Sequence, residues 1–130
     1  MADKNSYGVL LVDDEPGIVK VLRMFLELAG YRVFEAANAV DTFQVIERDK
    51  PDLIILDAAL NGESGFDICR NIKSSPATKG IIVFMFTGLN QASEQREGER
   101  AGCDKYLTKP QNPKDIVQMV NEYLKKEVGF

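Results

Sequence analysis

Val9-Leu10-Leu11-Val12-Asp13-Asp14 is four apolar residues followed at once by two acids. The apolar part has strand length and no alternation, so it reads as a buried strand. The same figure recurs along the chain. Leu53-Ile54-Ile55-Leu56 precedes Asp57, Ile81-Ile82-Val83-Phe84-Met85-Phe86 precedes Thr87, and Tyr106-Leu107 lies just before Lys109. In a parallel sheet all these strand ends point the same way. Asp13, Asp14, Asp57, Thr87 and Lys109 would then meet at one rim, where open α/β sheets bind their ligands.

The segments between the strands carry helical periodicity, so the chain reads as repeated βα units around a parallel sheet. The first strand is expected at about Tyr7–Val12. A helix follows, with Pro16 near its first turn and Gly30 just past its end. Ile18, Val21, Leu22, Phe25 and Leu28 are its expected inward face. Tyr31–Glu35 reads as a short second strand. Asn38 suits the cap of a second helix that carries Val40, Phe43, Val45 and Ile46. Pro51 and Asp52 lead into the third strand. After Asp57, the stretch Ala58 to Gly65 is rich in turn formers. A third helix is expected from Phe66 to Lys73, facing inward through Phe66, Cys69 and Ile72 and ended by Ser74-Ser75-Pro76. Ile81–Phe86 is the fourth strand, and Asp104–Leu107 a short fifth strand at an edge. Asn112 and Pro113 open a last helix with Ile116, Met119, Val120, Tyr123 and Leu124 as its stripe. The helix expected over Asn90–Arg100 has Ala92 as its single apolar residue. It also contains Gly98, which costs about 1 kcal/mol relative to Ala, so it should be the least anchored of the five.

The 130 residues suit one domain, expected over 1–130. Net charge is −4, which offers no basic field for nucleic acid. Met1 to Gly8 lacks an apolar signal core, and Ile81–Phe86, the longest apolar run, is too short to span a bilayer. Cys69 and Cys103 form no metal or redox motif and read as reduced thiols of a cytoplasmic protein. The chain has no histidine, which excludes a histidine base, a histidine metal ligand and a phosphohistidine of its own.

Three carboxylates at one rim repel one another by roughly 4 kcal/mol per pair at 4 Å and an effective dielectric near 20. They need a cation, or some must stay protonated. Mg²⁺ is hard and oxygen-seeking and suits one or two carboxylates with water and a phosphate. Zinc is disfavoured without histidine or a cysteine pair. A carboxylate beside Mg²⁺ is also suited to receive a phosphoryl group as an acyl phosphate. Lys109 can pair with such a group as a point charge, and the Thr87 hydroxyl can hydrogen-bond it. No glycine-rich loop follows the first strand, where Asp13-Asp14-Glu15 would repel a phosphate. A phosphatase of the haloacid-dehalogenase kind would need a second acid at the position of Ala59.

Over nearly its full length the chain resembles the response-regulator receiver domain. The resemblance rests on Val12-Asp13-Asp14-Glu15, on Asp57 with Gly65 eight residues on, on Thr87-Gly88, and on Tyr106-Leu107-Thr108-Lys109-Pro110. It implies a doubly wound five-stranded parallel sheet, order 2-1-3-4-5, flanked by five helices. It implies Asp57 as phosphoacceptor, and Mg²⁺ held by Asp13, Asp14, Asp57 and the backbone carbonyl of Ala59. Lys109 would contact the phosphoryl group, its bond to Pro110 would be cis, and Thr87 and Tyr106 would form a switch pair. The implied partners are a sensor histidine kinase or phosphotransfer protein and a downstream protein target. Leu60-Asn61 replaces the Met-Pro that is frequent in the family, and Asn61 should loosen that loop. Gly88 stands where Ala is frequent, and Ala59 and Leu89 occupy positions thought to tune acyl-phosphate lifetime. No output domain follows the last helix, so a stand-alone regulator or a receiver cut from a longer chain is expected.

The reading from these residues is a phosphorylation switch that signals through the polar helix, the edge strand and the last helix. Two other readings stand beside it. One is an interaction module of the same fold that never uses phosphate. The other is a Mg²⁺-dependent hydrolase, against which Ala59 weighs.

Overall fold

The computed structural model describes residues 7–124. Residues 1–6 and 125–130 lie outside the described residues, and with them most of the Met1–Gly8 stretch and the two ends of the expected 1–130 domain. Seven strands and five helices follow in the order β1 (Gly8–Val12), α1 (Pro16–Leu28), β2 (Arg32–Ala36), α2 (Ala39–Asp49), β3 (Leu53–Leu56), β4 (Ala59–Leu60), β5 (Glu63–Ser64), α3 (Gly65–Ser74), β6 (Ile82–Thr87), α4 (Ala92–Arg100), β7 (Lys105–Thr108) and α5 (Pro113–Leu124). Five strands form one parallel sheet in the order β2-β1-β3-β6-β7. Counting that sheet's strands alone, the order is 2-1-3-4-5. β4 and β5 are a separate antiparallel hairpin inside the loop after Asp57.

Strand side chains alternate between two cores, as the period of two requires. Leu10, Val12, Ile54, Leu56, Val83 and Met85 share one core with Val45 and Ile46 of α2 and Phe66, Cys69 and Ile72 of α3. Val9, Leu11, Leu53, Ile55, Phe84 and Phe86 share the other with Leu22 and Leu26 of α1 and Ile116 and Val120 of α5. Both faces are covered, which is why β1 and β3 are continuous apolar runs.

The expected helix faces need correction in detail. α1 buries Val19, Leu22 and Leu26, while Val21 is 40% and Leu28 80% exposed. The face is turned by about one position, because side chains lean toward the helix N-terminus and the sequence stripe has apolar residues on both flanks. In α2, Val40 is exposed and Thr42 is buried instead. The Thr42 hydroxyl donates to the Asn38 carbonyl at 2.8 Å, so its burial leaves no polar group unmet. Asn38 caps α2, its side chain accepting from the Asp41 amide at 2.8 Å. Asn112 caps α5 in the same way through the Lys114 amide at 2.9 Å. α4 begins at Ala92 rather than Asn90, and Ala92 is exposed; Gly98 is the residue of this helix that is buried.

Candidate functional site

Register places the site. Val12 pairs with Leu56, Leu56 with Met85, and Thr87 with Thr108, so β1, β3, β6 and β7 end along one rim. The Asp57 amide donates to the Val12 carbonyl at 2.9 Å, and the Lys109 amide to the Thr87 carbonyl at 2.8 Å. Backbone pairing therefore carries one strand past its last apolar residue and fixes Asp13, Asp57 and Lys109 side by side.

Their side chains converge on one ammonium. Lys109 Nζ lies 2.9 Å from Asp13 Oδ2, 2.9 Å from Asp57 Oδ2 and 2.6 Å from Glu15 Oε1. It also sits 5.6 Å from the centroid of the Phe86 ring. Asp13 and Asp57 are buried, while Asp14 and Glu15 face solvent. Oxygens of Asp13, Asp14 and Asp57 lie within 4.8 Å of one another. Three acids thus contact one lysine, and Asp14 lies beside two of them. Burial lowers the proton affinity of Lys109, but the hydrogen bonds it donates to Glu15, Asp57 and Asp13 outweigh that and hold the ammonium charged above its ordinary range. Burial pushes Asp13 upward, and Lys109 offsets this only in part. The cluster keeps more negative charge than one lysine can match. A compact set of hard oxygens with one exposed member fits a small divalent cation.

Two backbone amides hold the buried carboxylates. Asp57 Oδ1 accepts from the Ala59 amide at 3.0 Å, and Asp13 Oδ1 accepts from the Glu15 amide at 2.9 Å. Ala59 lies two residues past Asp57, exposed, in the hairpin strand β4. Gly65 allows the hairpin to return beneath the site. Its amide donates to the Ala58 carbonyl at 2.7 Å, and a β-carbon there would lie 2.1 Å from the Asp57 carbonyl oxygen.

Thr87 is fully buried at the end of β6 rather than just beyond it. Its Oγ1 accepts from the Leu89 amide at 3.3 Å. Tyr106, on the edge strand β7, donates its hydroxyl to the Leu89 carbonyl at 2.7 Å. Thr87 and Tyr106 therefore hold opposite ends of one residue's backbone. Burial pushes the Tyr106 phenol up to about 12. The Tyr106 ring lies against Gly98 of α4, where a β-carbon would stand 2.6 Å from the ring. The Lys109–Pro110 peptide is cis.

The sequence reading brought together Asp13, Asp14, Asp57, Thr87 and Lys109, and all five stand at the rim. It gave no contact to Glu15, which is a direct partner of Lys109. Its position right after two acids was the available signal. The Leu89 backbone bridge and the seat that Gly98 provides were also not read, because both depend on loop and helix placement rather than residue type.

The family model of the response regulator receiver domain matches residues 9–121. The chain belongs to the response-regulator receiver domain family. The phosphate regulon transcriptional regulatory protein PhoB of Pseudomonas aeruginosa is 36% identical over 118 residues, covering 91% of this chain and 52% of that protein. Protein PilH of the same organism is 31% identical over 116 residues, covering 89% of this chain and 96% of PilH. A signal receiver domain of a DNA binding response regulator protein from Colwellia psychrerythraea superposes with a TM-score of 0.87 at 28% identity, covering 93% of this chain and all of that one. A CheY-like receiver domain protein from Methanospirillum hungatei gives 0.86 at 28% identity, covering 93% and 95%. This receiver spans about half the length of PhoB and of other transcriptional regulators it matches. Membership makes it a phosphorylation-dependent signalling domain of the two-component kind. No helix among the described residues is long and apolar enough to cross a membrane.

Proposed function

We propose that Asp57 of this receiver accepts a phosphoryl group from the phosphohistidine of a partner kinase or phosphotransfer protein. The observation that carries the proposal is the shared ammonium: Lys109 Nζ lies 2.9 Å from a carboxylate oxygen of both Asp13 and Asp57. A carboxylate oxygen of Asp57 attacks phosphorus, the P–N bond breaks, and the departing imidazole takes up a proton. Asp13, Asp14 and Asp57, with the Ala59 backbone carbonyl, would hold Mg²⁺. The ion, when bound, neutralises charge on the phosphoryl oxygens and on the attacking oxygen. Lys109 then turns from the acids toward the phosphoryl group, which is the stronger anion within its reach. Glu15, exposed and ion-paired, supplies the ammonium with a partner at the solvent edge during that exchange. Water later attacks phosphorus, and phosphate leaves Asp57 as a free carboxylate.

The signal leaves through Thr87. When its hydroxyl turns to a phosphoryl oxygen, the Leu89 amide loses its acceptor. The Leu89 carbonyl is the acceptor of Tyr106, so the β6–α4 loop and the ring move together. The face formed by α4, β7 and α5 then presents a different surface to a downstream protein. The domain is proposed as a cytoplasmic signalling unit that catalyses its own phosphorylation and dephosphorylation and acts through proteins. Incubation with a small acyl-phosphate donor and Mg²⁺, read by intact mass, tests the proposal. One phosphoryl group should add to the native chain and none to Asp57→Asn. An undiminished gain in that variant contradicts it.

A further inference from the structure

Glu63 sits opposite Leu60 in the β4–β5 hairpin, with its carboxylate on the start of α2. Its Oε1 accepts from the Ala39 amide at 2.7 Å. Ala39 is the first residue of α2, and its amide is one of the donors a helix leaves without an internal partner. An anion at that helix end is also favoured by the helix dipole. Asn38 satisfies a different donor there, that of Asp41, so the two caps do not compete. The hairpin that Glu63 fastens is the one that carries Ala59, whose amide holds Asp57 Oδ1. It turns through Asn61-Gly62, with Gly62 at φ 77, and it lacks a proline that would stiffen it. Leu60 is buried on one side of the hairpin, and the Glu63 strand is held by its pairing with β4 and, outside the hairpin, by the bond to α2.

We infer that Glu63 is a positioning residue that sets cation affinity at the Asp57 site by pinning the hairpin to α2. The inference rests on the Mg²⁺ site proposed above. With Glu63 in place, the Ala59 backbone stays against Asp57 before the ion arrives. Without it, the hairpin must be ordered when the ion binds, and affinity falls by that cost.

The test uses the whole chain in three variants: Glu63→Ala, Glu63→Gln and Asn38→Ala. Mg²⁺ binding is read by calorimetry, and backbone amide exchange of residues 39 and 59–64 is read by mass spectrometry. Glu63→Ala should bind Mg²⁺ about 3- to 10-fold more weakly, at the low end or below the usual cost of losing an outer partner of a metal site. Its amides at 39 and 59–64 should exchange faster. Glu63→Gln keeps an oxygen acceptor and should stay within about twofold of the native chain. Asn38→Ala loosens the start of α2, where the Ala39 donor lies, but keeps the Glu63 bond, so it should weaken Mg²⁺ binding clearly less than Glu63→Ala. Native affinity in Glu63→Ala, an equal loss in Asn38→Ala, or no Mg²⁺ binding by the native chain overturns the inference. Calorimetry requires no phosphorylation. A chain that binds Mg²⁺ in this pattern yet gains no phosphoryl group on Asp57 would refute the phosphoacceptor role and leave the Glu63 role standing.

Discussion

A β-carbon on Gly65 would lie 2.1 Å from the Asp57 carbonyl oxygen and 2.8 Å from Ala58 Cα, both backbone atoms that cannot swing aside. Gly65→Ala must therefore push β3 and α3 apart directly beside Asp57. We predict a loss of about 1–3 kcal/mol or more in denaturant unfolding, the scale of overpacking a close-packed site. The spacing from Asp57 to Gly65 was visible in the sequence, but the reason for it, a backbone approach, was not. Cys69 and Cys103 offer a second residue-scale test. Burial first, then neighbouring charge, pushes their thiols up to about 12 and about 11. Both are free thiols. Above their ordinary range near 9, the unfolded chain has released these protons while the folded chain still binds them. Stability therefore falls as pH rises from 9 toward 12 and is unaffected by these groups below 9. Urea midpoints measured from pH 7 to 11 should be level at first and then decline, and iodoacetamide at pH 8 should label the native chain far more slowly than the unfolded one.

Among the elements, α4 departs most from what its sequence suggested. Eight of its nine residues, Ala92 included, are exposed or only half-buried, as its polarity foretold. It is tied instead by an ion pair from Arg70 of α3 to Glu97 and by the seat of Tyr106 on Gly98. Gly98 was legible only as a cost to the helix; the compensating contact is made with a strand residue eight positions on. Gly98→Ala sets two effects against each other. Helix propensity favours Ala by about 1 kcal/mol, while crowding costs about 1–3 kcal/mol. Crowding wins locally, since the ring carbons would stand 2.6 and 2.8 Å from the new methyl. The Tyr106 ring should move and its hydrogen bond to Leu89 should break, visible as changed Tyr106 ring resonances in NMR spectra, with a net stability change of under about 2 kcal/mol. Unmoved resonances would show that the seat has slack. With so little buried apolar surface, α4 should also show the fastest amide exchange of the five helices, by about tenfold or more over α1 and α5. The strand runs were read nearly to the residue, because burial on both faces leaves an unbroken apolar signal. The helix faces were read less well. An apolar residue on the flank of a stripe, such as Val21, Leu28 or Val40, looks the same whether it points inward or outward. The hairpin β4–β5 was missed because two-residue strands carry no periodicity.

For the molecule as a whole, one physical fact links sequence to site. A parallel sheet aligns the ends of its strands, so polar residues that follow separate apolar runs must gather. That is how Asp13 and Lys109, ninety-six positions apart, come to share a 2.9 Å contact. Charge then determines what the site can hold: three acids on one ammonium, with Asp14 beside them, favour a cation, and the proposed phosphoryl transfer to Asp57 would draw on it. Contacts that run between loops, from Glu63 to α2 and from Tyr106 to Leu89, arise only once the sheet has formed, and no run of residues announces them. The most direct measurement is to phosphorylate the chain with a small acyl-phosphate donor, reduce the product with borohydride and map the reduced residue by peptide sequencing. An acyl phosphate on Asp57 should appear as homoserine at position 57, with Mg²⁺ present and not with a chelator. A phosphoryl group that resists borohydride, or homoserine at any other aspartate, would contradict the account.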